Sequence, residues 1–551
     1  MFRKNKQNKP SGHRILLMGI LCLFGIQFVA QVRPKNQQPE KKDRVFLLHA
    51  DVLRYNKEEN PEAQILEGNV KFRHDSVYMY CDTAYFYEAK NSFEAFGNVK
   101  MQQGDTLFLY GDRLSYDGNM EMAHVRENVR MENRKTVLLT DSLDYDRLYN
   151  LGYFFEGGTL MDEENVLTSD WGEYSPATKQ AVFNYNVKLV NPKFTLTSDT
   201  LRYNTATKLA HIVGPSNIDN GENRIYSESG YYNTATQQAE LLDRSVLVNG
   251  SRELVGDSLF YDREKGYGEA FRNVEMKDVQ NKNMLTGDYC FYNELTGYAM
   301  ATDRAVAVDF SREDSLFLHA DTLKMFTYNM NTDSVYRTTH AYHKVRVYSH
   351  DIQGVCDSLV FNSLDSCATM YENPVVWNEG QQLFGEEIKA YMNDSTIDWV
   401  HIINQATSIE QLDSVNYNQI SGKEIKAYFA DREVRQVDVI GNVRIIYYSR
   451  DDKDSTLIGM NSAETSLLNI YMKEKKLEKI KASAQVTGTM YPMSLIPEDK
   501  RYLPLFYWFD YMRPLNKEDI FNWRPKKTGQ ELKASIRKEI PLPTLKNLKK
   551  E

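Results

Sequence analysis

Apolar and polar residues alternate with period two through most of this chain, in segments of about ten residues, the pattern of β-strands with one sheltered and one wet face. The segments belong to a repeat of about 29 residues. Its first half is an acidic residue with a tyrosine four places on, as in Asp51-Val-Leu-Arg-Tyr55, Asp112-Arg-Leu-Ser-Tyr116, Asp141-Ser-Leu-Asp-Tyr145, Asp199-Thr-Leu-Arg-Tyr203 and Asp257-Ser-Leu-Phe-Tyr261. Its second half reads Gly68-Asn-Val70-Lys-Phe72, Gly97-Asn-Val99-Lys-Met101, Glu127-Asn-Val129-Arg-Met131, Arg272-Asn-Val274-Glu-Met276 and Gly441-Asn-Val443-Arg-Ile445. Degenerate copies place the acidic residue also at Asp82, Asp170, Glu228, Asp288, Asp321, Asp357, Glu387, Glu424 and Glu464, with looser spacing after Asp321. β-Branched and aromatic residues fill the segments, and turn chemistry such as Tyr116-Asp-Gly-Asn119 joins them, so each repeat predicts two strands and two turns.

The apolar set changes phase inside several repeats. Leu107 and Leu109 are odd-numbered and Leu114 and Tyr116 even, with Gly111-Asp112 between them; Leu316 and Leu318 give way to Leu323 and Met325 across Ala320-Asp321. A slip of one residue turns every later side chain to the wrong face, so a bulge or corner is expected at the repeated Asp. The preceding residue is small (Ala50, Cys81, Gly111, Ser169, Ser198, Gly256, Gly287, Ala320, Cys356), as a crowded corner requires. The fold class that follows is all-β, an elongated stack of antiparallel strands folded over at these points, which grows without a central globular core.

The chain ends change this picture little. A basic stretch through Arg14, an apolar run from Ile15 to Val29 and a cleavage point near Ala30-Gln31 read as an export signal over residues 1–30, with 31–44 as linker. The formal net charge is −9, and it falls to about −14 once the five basic residues of that segment (Arg3, Lys4, Lys6, Lys9, Arg14) are removed, which argues against nucleic-acid binding. Repeats occupy 45–490, as one rod or as two units that divide after 321. From about Tyr491 prolines and aromatics take over (Tyr502, Phe506, Tyr507, Trp508, Phe509, Tyr511, Trp523), and 491–551 reads as a cap or docking segment with a basic end. Beyond Cys22, the cysteines Cys81, Cys290, Cys356 and Cys367 fit no metal spacing, and a Cys356–Cys367 disulfide stays open as an alternative to free, packed thiols.

Chemistry is sparse. The acidic ladder suggests calcium or carboxylate catalysis, but Asp favours corners by bonding nearby backbone, and the Gly-rich nonapeptide of calcium-binding β-rolls is absent. His340-Ala-Tyr-His343 lacks the helix and glutamate of a zinc protease. No nucleophile elbow, phosphate loop or dinucleotide fingerprint occurs, so no catalytic residue, metal or cofactor is assigned and the chain reads as a non-enzyme. What remains is the apolar face: Leu53, Tyr55, Val70, Phe72, Val99, Met101, Leu114, Tyr116, Val129, Met131, Leu143, Tyr145, Val274 and Met276 form rows down the stack. Such rows either close on each other as a core, with any function on the outer face of a structural or adhesive β-solenoid or a carbohydrate-active β-helix enzyme, or line a groove for acyl chains.

An exported chain in which Asp-x-Leu-x-Tyr and Gly-Asn-Val-x-apolar phrases recur from Val45 to Val486 resembles the OstA-like family, which includes the lipopolysaccharide transport bridge LptA and the N-terminal periplasmic domain of LptD. The resemblance implies a β-jellyroll open along one side, periplasmic and acting in outer-membrane biogenesis. Its interior would bind the lipid A of lipopolysaccharide, and its partners would be an inner-membrane exporter, an outer-membrane translocon and, end to end, further copies of itself. On that analogy the fourteen row residues become groove residues. The chain departs from the family in being far longer than LptA and in lacking the C-terminal barrel of LptD.

Overall fold

The computed structural model describes residues 44–532 except 59, 312–313, 394–395, 431–432, 452–453, 455 and 475. The export-signal reading, Cys22 and the basic end at Lys549-Lys550 lie outside these residues. The described chain is all-β, one 38-stranded sheet with the strand pairings antiparallel, from Phe46–His49 to Thr487–Pro492.

The sheet is folded along its length. The strand Gln64–His74 has two arms, 64–67 and 70–74, and the strand Val77–Tyr87 returns as 77–81 and 83–87; the register between them breaks once, between Glu67 and Val70. The same break recurs at Phe96/Val99, Arg126/Val129, Asn184/Val187, Phe271/Val274, Tyr342/Val345, Ile403/Ala406 and Ile440/Val443. Arms on one side of the breaks form a first leaf, arms on the other a second. The leaves face each other: Phe72 of the second stacks on Phe93 of the first with ring centroids 4.1 Å apart. At about 4.8 Å per strand the stack is a rod on the order of 130 Å long.

Both halves of the repeat meet at this fold. The residues at each break are a consecutive pair in the left-handed backbone region: Gly68/Asn69, Gly97/Asn98, Glu127/Asn128, Tyr185/Asn186, Arg272/Asn273 and Gly441/Asn442. Asn enters that region at less cost than other side chains. Its amide then donates to the repeated Asp of the neighbouring strand, from Asn69 to Asp51 at 2.8 Å, Asn98 to Asp82 at 2.8 Å, Asn128 to Asp112 at 2.6 Å, Asn186 to Asp170 at 2.7 Å and Asn273 to Asp257 at 2.8 Å. Glycine makes room beside Asn98, where a Cβ on Gly97 would stand 2.6 Å from the Asp82 carboxylate, whereas Glu127, Tyr185 and Arg272 hold the same position in other copies. One step inward, a Cβ on Gly111 would stand 2.5 Å from Val125, the crowding expected before the Asp.

The change of phase falls where it is expected: Leu107, Leu109 and Gly111 are buried before the Asp112 corner and Leu114 and Tyr116 after it. Late in the chain the corner residues move by one or two positions. Glu386 rather than Glu387 accepts from Gln405, Lys423 rather than Glu424 stands over Gly441, and Ser466 rather than Glu464 donates its N–H to the left-handed residue Ala484.

Substituting Asn128 isolates the corner. Asn128→Ala loses the amide and holds a Cβ in left-handed backbone, a cost of about 1–2 kcal/mol; Asn128→Gly loses only the amide and costs less. Hydrogen-exchange protection of the strands around 112–131 is expected to fall in the order Asn, Gly, Ala.

Candidate functional site: the interior between the leaves

The inward-facing side chains form rungs counted from the corner. In the second leaf the first rung is Val70, Val99, Val129 and Val274, and the next is Phe72, Met101, Met131 and Met276. In the first leaf Leu114 and Leu143 take the first rung, Tyr116 and Tyr145 the next. Of the fourteen row residues, eleven from Val70 through Tyr145 and Val274 are buried, and Met276 is half-buried. Leu53 and Tyr55 belong to the first edge strand, Val52–Arg54, and its continuation; no strand lies beyond them, and they are 54% and 59% exposed.

The repeated tyrosine has a second task. Its ring lies opposite a small residue on the next strand, as in the pairs Tyr116/Ala123, Tyr145/Gly152, Tyr174/Ala181 and Tyr203/Ala210. That space lets the ring reach across the mouth of the fold to a polar side chain at the tip of the second leaf. Tyr116 meets His74 Nδ1 at 2.6 Å, Tyr145 donates to Gln103 at 3.2 Å, Asn133 donates to Tyr174 at 3.4 Å, and Tyr203 donates to Asp162 at 2.8 Å. Arg147 adds a bond to Tyr116 at 2.5 Å, and Lys208 pairs with Asp162 at 2.7 Å. Burial pushes the Tyr116 hydroxyl up to about 12 and those of Tyr145, Tyr174 and Tyr203 up as well, so each remains a protonated donor in neutral solution. At about 0.5–1.5 kcal/mol each, four such latches contribute roughly 2–6 kcal/mol to holding the leaves together. The fifth tyrosine, Tyr232, closes the mouth by ring contact with Phe194, centroids 4.8 Å apart.

The latch partners were not found from the rows, although a signal for them exists: a polar residue stands 41 or 42 positions before each tyrosine, at His74, Gln103, Asn133 and Asp162.

The aromatic C-terminal segment lies along the outside of the second leaf and runs back towards earlier repeats. Ile496 packs with Ile446, Tyr448 and Met460, then Phe509 and Met512 with Val375, Trp377 and Phe384, then Ile520 with Val306 and Val308. Buried glutamines of the leaf bind this strap. Gln419 donates to the Arg501 carbonyl at 2.9 Å and accepts from Leu503 N–H at 2.8 Å; Gln382 does the same with Tyr507 and Phe509, both at 2.7 Å. Gln353 accepts from Arg513 Nε at 2.7 Å. Lys526 over Phe509 and Arg346 over Trp523 add cation–π contacts at 4.5 and 5.5 Å.

Other candidate chemistry is accounted for by packing. The acidic ladder sits at the corners, and among the described residues no three His, Cys, Asp or Glu side chains gather as a metal site. His343 takes a left-handed corner position, 3.4 Å from Asp357, and His340 stacks with Tyr342 and meets Phe326 edge-on. Cys81, Cys290, Cys356 and Cys367 are free and buried, and burial raises the thiols of Cys81 and Cys290 to about 12. No helix among the described residues is long and apolar enough to cross a membrane.

Residues 42–199 and 195–257 match the model of the family described as OstA-like protein. This part of the chain is similar to that family. A search of curated proteins returned no match. The OstA-like stretch contains all four tyrosine latches, and the same sheet continues beyond it through Thr487–Pro492 without a break in strand pairing.

Two outcomes follow for the strap. Gln382→Ala leaves the Tyr507 carbonyl and Phe509 N–H without partners, a cost of roughly 2–5 kcal/mol. Limited trypsin digestion is then expected to cut within 498–527 well before the sheet. Arg524, bonded to Asp519 at 2.5 and 2.9 Å, holds the Asp519 carboxyl well below its usual range. A carboxyl depressed in the folded state stabilises above its unfolded value near about 3.9 and loses that contribution as pH falls through the folded value. Fluorescence of Trp508 and Trp523 is therefore expected to hold steady down to about pH 4 and to report release of the strap only in stronger acid.

Proposed function

We propose that this chain is a periplasmic lipopolysaccharide-binding conduit of outer-membrane biogenesis, sheltering the acyl chains of lipid A between its leaves on the way from an inner-membrane exporter to an outer-membrane translocon. The observation that carries this reading is the interior itself: one continuous apolar cluster, from Val45 to Leu468, enclosed by a sheet folded along its whole length. A closed globular core is compact, whereas this one is drawn out along a rod whose two leaves are joined through the backbone along one edge only. Burial of apolar surface is favourable by about 25 cal/mol per Å², so hydrocarbon chains gain from such an interior over water without any chemistry from the protein. The OstA-like match over 42–257 supports the same assignment.

Association end to end is part of the proposal. The edge strands carry exposed apolar residues at both ends, Phe46, Leu48 and Val52 at one and Leu477, Ile480 and Met490 at the other. Unpaired edges of this kind pair readily with another strand.

Pull-down of the chain from envelope extracts, followed by assay of bound lipid, tests the reading. Lipopolysaccharide is expected to co-purify in amounts comparable to the protein. Recovery of the protein free of lipopolysaccharide, from cells that export it normally, would contradict the assignment and favour the β-solenoid with a purely structural interior.

A further inference from the structure

The interior changes character between Ile225 and Leu247. From Leu66 to Leu241 the buried apolar side chains of the core are at most 6% exposed. From Leu247 to Ile470 the upper rungs are half-buried, as at Leu254, Leu285, Leu318, Phe361, Ile420 and Ile445. The corner rung beneath them stays buried, as at Val274, Ala320, Val345 and Val443. A wedge with a packed floor and partly open walls is a trough.

The change coincides with the end of the latches. Tyr203 is the last tyrosine bonded across the mouth, and Tyr232 the last to touch the opposite tip by its ring. Further on, the latch position holds Tyr261 and Tyr292, no longer buried, and then Met325 and Phe361, which have no hydroxyl to offer. Over the same stretch the strap supports the second leaf from behind, between Val306 and Met460. One wall is held across the mouth in the first half and from the outside in the second, so only the second half is free to part its leaves.

We propose that the interior is divided. Residues 66–241 are closed to ligand while their latches hold, so that in the latched chain the acyl chains of an amphiphile occupy only the trough between Leu247 and Ile470, with the Tyr203–Asp162 latch and the Tyr232–Phe194 contact as its stop. This rests on the lipid-binding reading above and places the ligand mostly in the part of the sheet beyond the OstA-like match, which ends at 257. The trough spans about 60 Å at ~4.8 Å per strand. Ligand advances into the spacer only where these contacts are broken, so the tyrosines fix the boundary.

The test uses the full wild-type chain and purified lipid A, followed by hydrogen exchange. Slowed exchange confined to the strands of 245–470 is expected, with those of 92–204 unchanged. A photoreactive phenylalanine analogue at Phe361 or Ile420 should take up lipid A at least roughly tenfold more than one at Met131 or Leu160. Tyr203→Phe combined with Tyr232→Ala, which removes both parts of the stop, should extend the labelling to Leu196 and Phe183. Equal labelling at Met131 and Phe361 in the latched chain would overturn the division while leaving lipid binding in place. An unmoved boundary in that double variant would overturn the role of the stop. Absence of both protection and labelling along the whole interior would instead refute the lipid-binding reading itself.

Discussion

The structure depends on one hydrogen bond repeated along the rod, from the Asn amide of a left-handed pair to the Asp carboxylate of the adjoining strand. An antiparallel sheet of this many strands has no reason of its own to fold lengthwise, since ladder bonds are satisfied equally well in an open twisted sheet. The extra residue at each break bends the strand, and the Asn–Asp bond fixes the bend at the same height in successive strands. Corners in register create a hinge line, and the hinge line creates two faces that can bury one another. The outer solvated faces and the enclosed apolar interior both follow from that geometry.

Holding the leaves together is a separate problem from folding them, and the molecule solves it in two ways. In the first half the repeated tyrosine spans the mouth, made possible by a small residue opposite its ring and a polar residue at the far tip. In the second half Tyr261 and Tyr292 keep a small residue opposite, Gly268 and Ala299, but are only half-buried and form no such latch. There the strap reinforces one leaf from outside, bound through buried glutamines that read its backbone rather than its side chains. Glutamine suits this task because one amide offers a donor and an acceptor, matching one carbonyl and one N–H of an extended segment.

Much of this was legible in the sequence, but unevenly. Period-two alternation and the phase change around Asp112 are local properties of a strand, and they gave the all-β fold and the corners. The pairing of Asn128 with Asp112 was half visible, since both residues belong to the repeat, although their spacing does not show that they touch. The tyrosines were read as part of an apolar lining because an aromatic ring in an alternating strand looks like core; their hydroxyl partners lie 41 or 42 residues away, in the opposite leaf. The late corners at Glu386 and Lys423 were missed by one residue because a neighbouring Glu matched the repeat better than the residue the fold uses. The placement of the strap was not legible at all, since aromatic residues and prolines say that a segment packs and not where. Which part of the interior is tight is likewise a property of both leaves together.

A structure of the chain determined with lipid A bound tests the central claim most directly. The account predicts hydrocarbon density between the leaves, against side chains such as Phe361 and Ile420, with the corner bonds intact. Lipid found only on the outer faces, above an interior packed as tightly throughout as it is around Met131, would contradict it.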